Sequence, residues 1–256
     1  MNVTSIMKGP RLKVKRANSH IDAIVGDTSP LSKNLYEITN GPGRSVAPLK
    51  NFDGFYLTYK PKESISDHLS PIIGDVVNNL REALDYWVNG AVAAIGPKKK
   101  LYFPFTNKWE NLESTPNYQK IHKAFPAAAE FILNEIKPCR DTNLILWAIT
   151  SLCNFNKHND LLPTVSLAMV NNINARIGNS LIQDCSIGGN ANSPITMIKS
   201  GTPIVIDSDF NTSVDITFPE GAIFENQPII PTLRNMSIIT SQTLDLLERF
   251  ISSDMK

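Results

Sequence analysis

Two stretches of the chain carry polar side chains on helices whose other residues are typical of a protein core. On the first helix, two adjoining rows of the helical wheel hold Asn78, Arg81 and Asp85, and Asp75, Asn79 and Tyr86. On the second helix, one face holds Asn154, Lys157 and His158. Burying such groups costs free energy unless they find partners. We therefore expect the two helices to be neighbours and their polar faces to form the candidate site.

Arg81 and His158 are the two candidate catalytic residues of these faces. The candidate binding residues are Asp75, Asn78, Asn79, Asp85, Tyr86, Asn154 and Lys157. A structural role is the competing interpretation. Arg81 and Asp85 are four residues apart and can form an ion pair at a helix interface. Lys157 and His158 can stabilise the end of their helix through its dipole.

No established sequence motif assigns a reaction to the chain. The sequence lacks the phosphate-binding patterns G-x-G-x-x-G and G-x-x-x-x-G-K-[ST], and it lacks H-E-x-x-H and G-x-S-x-G. The four histidines are far apart in sequence, so ligands for a metal would have to converge from distant segments. We therefore expect neither a metal ion nor a cofactor.

The composition is that of an ordinary globular protein. Hydrophobic residues make up 42% of the chain and charged residues 19%, values that argue against global disorder. The net charge of +1 gives no overall attraction to nucleic acid or acidic membranes. No apolar stretch reaches the roughly 18 residues of a membrane span. Three cysteines cannot all pair and the N-terminus lacks the apolar run of a signal peptide, so we expect a soluble cytoplasmic protein that does not bind membranes.

Apolar periodicity predicts several helices, at about 13–25, 66–95, 124–136 and 142–158, and from Pro231 to about Ser252. In the second of these, a broad apolar arc of the helical wheel is formed by Ile73, Val76, Val77, Leu80, Ala83, Leu84, Trp87, Val88 and Ala91. Asp141 or Thr142 is the expected N-terminal cap of the fourth. One side of the last helix is lined by Leu233, Met236, Thr240, Leu244, Leu247 and Ile251. We expect Trp87 and Trp147 to belong to the core; the alternative is that they stack on bases.

Strand-like runs at 34–39 and 54–60 predict an antiparallel hairpin near the N-terminus. Residues 101–105 form a short extended segment. Further strand-like runs between 165 and 218 lack crossover helices, which favours an antiparallel sheet. The predicted fold is α+β: a helical layer with an N-terminal β-hairpin, followed by an antiparallel sheet and a C-terminal helix. We divide it into a mainly helical, motif-bearing region, 1–160, and a β region with the terminal helix, 161–256; the two can also form one domain.

The order of these motifs resembles a family of uncharacterised bacterial proteins, over nearly the whole chain. The shared elements include an early R-A-x-x-H-I helix, beginning here at Arg16, and a helix of the form G-D-h-h-x-N-L-R-x-A-L-D-H, beginning here at Gly74. An F-P-[IF] segment at Phe103 follows, then an L-W helix ending in D-K-H-R, which begins here at Leu146. The resemblance implies this order of elements and no particular activity.

The R-x-x-x-x-H spacing of the family's first motif helix is also similar to that of HEPN domains, helical nucleotide-binding modules of which many are metal-independent ribonucleases. In those domains an arginine and a histidine polarise the 2′-hydroxyl and the phosphate of RNA. This chain departs from the motifs of the bacterial family at three positions. Tyr86 stands in place of the histidine of the first motif helix, and Asn156 and Asn159 stand in place of the aspartate and the arginine of D-K-H-R. A tyrosine does not serve as a base near neutral pH without a large shift of its pKa, so the departures weaken a catalytic interpretation.

Two functions follow as hypotheses. The favoured one is a non-enzymatic binding or interaction protein, whose polar cluster binds an anionic small molecule or holds the fold together. The alternative is a HEPN-like, metal-independent endoribonuclease, or a degenerate relative of one, with Arg81 and His158 acting on RNA. Either could form a homo-oligomer.

Overall fold

The computed structural model describes residues 2–28, 36–44, 53–62, 65–97, 100–158, 165–207 and 211–254, without the side chains of 43–44, 53, 65–66, 156–158, 165–166 and 254. Its helices are α1 (Val3–Thr28), α2 (Ile65–Ile95), α3 (Pro116–Ala124), α4 (Pro126–Phe131), α5 (Leu144–His158) and α6 (Ile229–Asp254). Its strands are β1 (Tyr36–Arg44), β2 (Asp53–Pro61), β3 (Val165–Ile177), β4 (Ser180–Asn190), β5 (Ile195–Ser200), β6 (Ile204–Ile206) and β7 (Asn211–Thr217). The helices and antiparallel strands confirm the predicted α+β class.

The long helix α2 lies at the centre of the helical layer and contacts α1, α5 and α6. All nine residues of the predicted apolar arc are buried, from Ile73 to Ala91. Trp87 is fully buried, as the core interpretation required. The arc is broad because α2 has partners on several sides, and each partner removes a different part of the helix from water.

Helix α1 is longer than the sequence predicted, since it begins at Val3 and not near Lys13. The added turns contain Pro10, a residue that is unfavourable in the interior of a helix. Ile6, Met7 and Pro10 are all buried. A Cβ added at Gly90 of α2 would lie 3.3 Å from the Ile6 side chain, so the two helices approach closely here. Burial of these apolar side chains outweighs the weak helix propensity of the segment.

The predicted helix at 124–136 corresponds to α4 and the π-helical turn after it, which together begin two residues later, at Pro126, and end at Ile136 as predicted. The sequence did not predict α3, which comes before it. A helix already begins at Pro116, where Thr115 accepts a 3.3 Å hydrogen bond from the backbone amide of Tyr118 as its N-terminal cap. Phe125 and Pro126 interrupt it, and the chain continues through α4 into a π-helical turn, Ile132–Ile136. The pair Thr115-Pro116 is a helix-start signal that the sequence prediction did not use.

Helix α5 begins two residues later than predicted, and its cap is neither of the two expected residues. The Asn143 side chain accepts a 3.3 Å hydrogen bond from the backbone amide of Leu146. The Asp141 carboxylate instead accepts the backbone amide of Trp109, and the Thr142 hydroxyl donates to the carbonyl of Lys137. Both expected caps therefore hold the preceding loop.

The strands form two antiparallel sheets. The first has the order β1-β2-β5, so the predicted N-terminal hairpin gains a strand from beyond residue 160. In the second, β3 is central: β4 pairs along one edge, and β7 and β6 pair with successive parts of the other. One sheet thus combines strands from both sides of the division at residue 160.

Helix α6 confirms the predicted C-terminal helix and its buried stripe. The expected residues Leu233, Met236, Thr240, Leu244, Leu247 and Ile251 are all fully buried. Arg11 of α1 donates to Glu248 at 2.8 Å, and Ser237 donates to Asn18 at 2.6 Å, so polar contacts join α6 to α1 beside the apolar interface. Among the described residues, none of the helices has the length and apolar character required to cross a membrane.

Candidate functional site

Three polar residues spaced four apart on α2 bind the backbone of the extended segment 101–105. Asn89 donates to the carbonyl of Leu101 at 2.7 Å and accepts from its amide at 2.9 Å. One turn earlier, Asp85 accepts from the amide of Phe103 at 2.7 Å. One turn earlier again, Arg81 donates to the carbonyl of Phe103 at 3.0 Å. The side chains thus provide the partners that a neighbouring strand would otherwise supply.

The match between α2 and the extended segment has a geometric cause. Four residues of α-helix rise about 6 Å, and two residues of an extended chain rise about 6.6 Å. Side chains at every fourth position of a helix can therefore reach every second residue of a strand beside it. Leu101 and Phe103 are accordingly buried, whereas Tyr102 between them is 43% exposed.

Arg81 also joins α2 to α5. Its Nη1 donates to the Thr150 hydroxyl at 2.6 Å, and its guanidinium lies 4.4 Å from the centre of the Phe105 ring. Its Nε lies 3.4 Å from the Asp85 carboxylate, and both side chains are only 15% exposed. The predicted ion pair between Arg81 and Asp85 is therefore present and largely removed from solvent.

The environment of Asp85 is a balance of opposing effects. Burial raises the pKa of its carboxyl above the ordinary aspartate range, because a charge is costly away from water. Arg81 and the amide of Phe103 act in the other direction but do not cancel the effect of burial. The contacts of Asp85 thus favour its ionised form, whereas its buried position favours the protonated form.

A cleft of about 520 Å³ lies where the polar faces of α2 and α5 meet. Its lining comprises Lys13, Asp75, Asn78, Asn79, Arg81, Glu82, Asp85, Tyr102, Thr150, Cys153 and Asn154. Six of the nine predicted site residues therefore lie at one concave place. Lys13, Tyr102 and Thr150 were not among the predicted site residues. The alternation of the 101–105 segment, which turns Tyr102 outward, could have identified one of them.

Both described cations of the cleft have carboxylate partners within it. Lys13 lies 2.5 Å from the Glu82 carboxylate, and its ammonium is also 5.4 Å from the centre of the Tyr86 ring. Arg81 is paired with Asp85. The described lining therefore presents no unpaired positive charge to a ligand.

The asparagines of the cleft differ in what they bind. Asn79 donates to the carbonyl of Asp75 at 2.7 Å, one turn earlier on its own helix. Asn78 and Asn154 line the cleft and form no side-chain hydrogen bond within the described part of the chain. Their amide groups can therefore serve a ligand without breaking a contact of the fold.

Of the other three predicted site residues, one lies outside the cleft and two have side chains outside the described residues. Tyr86 is 51% exposed and lies against α1, where a Cβ added at Gly9 would come within 2.8 Å of its ring. It does not belong to the cleft lining. Lys157 and His158 end α5, but their side chains fall outside the described residues, so the pairing of Arg81 with His158 stays a prediction. The departure at Asn159 also falls outside them.

His20 of α1 interacts electrostatically with Asp75 of the cleft. Burial, assisted by the charge of Arg16, lowers the pKa of His20, and the nearby carboxylate of Asp75 only partly opposes this. At neutral pH the imidazole is therefore uncharged.

In the described ranges, no group of three or more His, Cys, Asp or Glu residues is placed to hold a metal ion.

Comparisons of the chain with protein-family models, with curated proteins and with solved structures found no match. The resemblance to uncharacterised bacterial proteins and the similarity to HEPN domains therefore stay predictions from the sequence.

Proposed function

We propose that the protein is a non-enzymatic binding protein and that the cleft between α2, α5 and the 101–105 segment takes a small polar ligand. The observation that supports this best is that the polar residues of the cleft fall into two groups. Arg81 and Asp85 bind the fold itself, whereas Asn78 and Asn154 face the cleft with no partner among the described residues. Pockets with a few convergent polar groups are the usual place for small ligands.

The same contacts argue against catalysis at this place. Arg81 already contacts four groups, namely Asp85, Thr150, the carbonyl of Phe103 and the ring of Phe105. The described lining contains no histidine. A general base needs both a suitable pKa and a free approach to its substrate, and Asp85 is committed to the amide of Phe103.

A panel of small polar metabolites tests the proposal, with native mass spectrometry and thermal shift as the two readouts. We expect one class of compound to bind the parent, and we expect Asn78→Leu and Asn154→Leu each to weaken that binding at least about tenfold, since each leaves polar groups of the ligand unpaired. Asn107→Leu is the matched control, because Asn107 is exposed and outside the cleft. Equal binding by the parent and by both cleft variants would contradict the proposal.

The ribonuclease is the second candidate, because Arg81 lines the cleft and α5 carries His158 one turn beyond Asn154. The assay is labelled single-stranded RNA with EDTA present, which suppresses contaminating metal-dependent nucleases. We expect no cleavage by the parent, and none by Tyr86→His, because Tyr86 lies against α1 and outside the cleft. Cleavage by the parent that disappears in His158→Ala would overturn the non-enzymatic proposal. RNA, an anionic small molecule and a homo-oligomeric partner stay predictions from the sequence.

A further inference from the structure

Strand β4 forms an edge of the second sheet. It pairs with β3 from Ser180, opposite Ile177, to Asn190, opposite Leu167, and in the described part of the chain it pairs with no other strand. The backbone N–H and C=O groups of a strand point alternately to its two sides, so those of β4 that point away from β3 have no strand to bind there. Such an edge can pair with another chain.

The edge has few of the features that usually prevent such pairing, which are lysine, proline or a short strand. β4 is 11 residues long and its sequence has no Lys, Arg or Pro; its single charged residue is Asp184. By contrast, β1 at an edge of the first sheet contains Glu37, Pro42 and Arg44. Asp184 has a φ of 48° and lies at a shift of the register, so the regular part of the edge is the uncharged run 185–190.

Apolar side chains of β4 are less well covered than the residues they pair with. On the face that packs on the core, Val170 and Ile173 of β3 are 1% and 0% exposed. Their partners in β4, Ile187 and Cys185, pack against the same core but stay partly exposed. A further strand along this edge would remove their remaining apolar surface from water.

A second copy of the chain fits this edge without a conflict of charge. A two-fold axis perpendicular to the sheet pairs β4 with its own copy in the antiparallel direction, and it keeps the two core faces on the same side. With the axis at Ile187, this side chain lies opposite its own copy, and Asp184 lies opposite Asn190 of the second copy. The two Asp184 carboxylates are then about 20 Å apart along the strands, well beyond the Debye length of about 8 Å at physiological ionic strength.

We infer that the protein forms a homodimer in which β4 pairs with β4 of a second copy and extends the sheet across a two-fold axis at Ile187. The inference does not depend on the cleft, and it gives the homo-oligomer predicted from the sequence a specific interface. A strand edge is narrower than the surface of most stable dimers, so the association should be weak and depend on concentration.

Sedimentation velocity of the full chain tests the inference, over a range from about 1 to about 100 μM in which weak dimers form. We expect the parent to shift from monomer to dimer. Ser186→Lys should weaken the dimer at least about tenfold, because Ser186 is exposed on β4 and the two lysines lie diagonally across the axis. Asn211→Lys is the matched control, since Asn211 is exposed on β7 at the opposite edge of the same sheet.

Mixing two charged variants tests the two-fold pairing directly. Ser186→Glu should weaken the dimer as Ser186→Lys does, because like charges meet in both. An equimolar mixture of the two variants should associate at least about tenfold more tightly than either one alone, since a lysine then meets a glutamate. A mixture that associates no better than its components overturns the inference.

Hydrogen exchange of the parent needs no variant. Amides of alternate residues between Cys185 and Asn190 should exchange more slowly at the high concentration than at the low one, because only those pointing away from β3 gain a partner. Dimerisation without this protection places the interface elsewhere and overturns the inference. A parent that stays monomeric over the whole range, or a dimer that Ser186→Lys and Asn211→Lys weaken equally, overturns it as well.

Discussion

Asp85 on α2 accepts the backbone amide hydrogen of Phe103 at 2.7 Å, and this contact ties the central helix to the extended segment beside the cleft. Arg81 binds the carbonyl of the same residue. The ion pair that the sequence suggested as a structural contact between helices thus also binds the backbone of the extended segment. Loss of either side chain leaves one buried backbone group of Phe103 unpaired.

Replacing Arg81 with alanine should destabilise the fold by roughly 3–5 kcal/mol, because it leaves the largely buried Asp85 carboxylate without its cation. The measurement is the free energy of unfolding from urea denaturation. Arg249→Ala is the control, since Arg249 is exposed and should change stability by less than about 0.5 kcal/mol. An Arg81→Ala protein that unfolds like the control would show that the pair contributes nothing measurable.

Hydrogen exchange should resolve the individual contacts between α2 and the extended segment. Asn89→Ala removes both contacts to Leu101, and Asp85→Ala removes the acceptor of the Phe103 amide. We expect Asn89→Ala to accelerate exchange most at the Leu101 amide, and Asp85→Ala to accelerate it most at the Phe103 amide. Each effect should be about tenfold or more, because the amide loses its hydrogen-bond partner. Nuclear magnetic resonance measures both amides in one experiment. Equal acceleration at both positions in both variants would mean that the segment detaches as a whole.

The raised pKa of Asp85 makes a signed prediction about pH. The folded state binds this proton more tightly than the unfolded state does. The resulting stability is fully present below the unfolded pKa and is lost as pH rises through the higher folded pKa. Relative to Asp85→Asn, which cannot titrate, the parent should therefore lose stability as pH rises above the ordinary aspartate range. A difference between the two proteins that grows in favour of the parent as pH rises would contradict the sign.

The three cysteines should differ in reactivity. Burial raises the pKa of Cys139 to about 11, so its thiol stays protonated at neutral pH and is a poor nucleophile. Cys139 and Cys153 are buried, whereas Cys185 is only partly so. We expect Cys185 to react first with iodoacetamide, and mass spectrometry of the digested protein measures the order. Fast labelling of Cys139 in the folded protein would show that the region around it opens readily.

The sequence by itself determined which faces of the long helices are buried. In α2 and α6, apolar residues recur with the helical period, and every predicted core residue from Ile73 to Ala91 and from Leu233 to Ile251 is buried. Periodicity is a local property, and the hydrophobic effect depends on apolar area and not on the identity of the partner. The sequence therefore indicated which residues of each helix are buried, but not which elements pack against them.

Only the tertiary structure decided what the polar residues do. The sequence placed Arg81 and Asp85 in a candidate site, but it did not show that they bind Phe103, or that Lys13 pairs with Glu82 at the cleft. It also did not show that β5 pairs with β2. A hydrogen bond or an ion pair needs a specific partner at a specific distance, and these partners are brought together by packing of segments far apart in the chain.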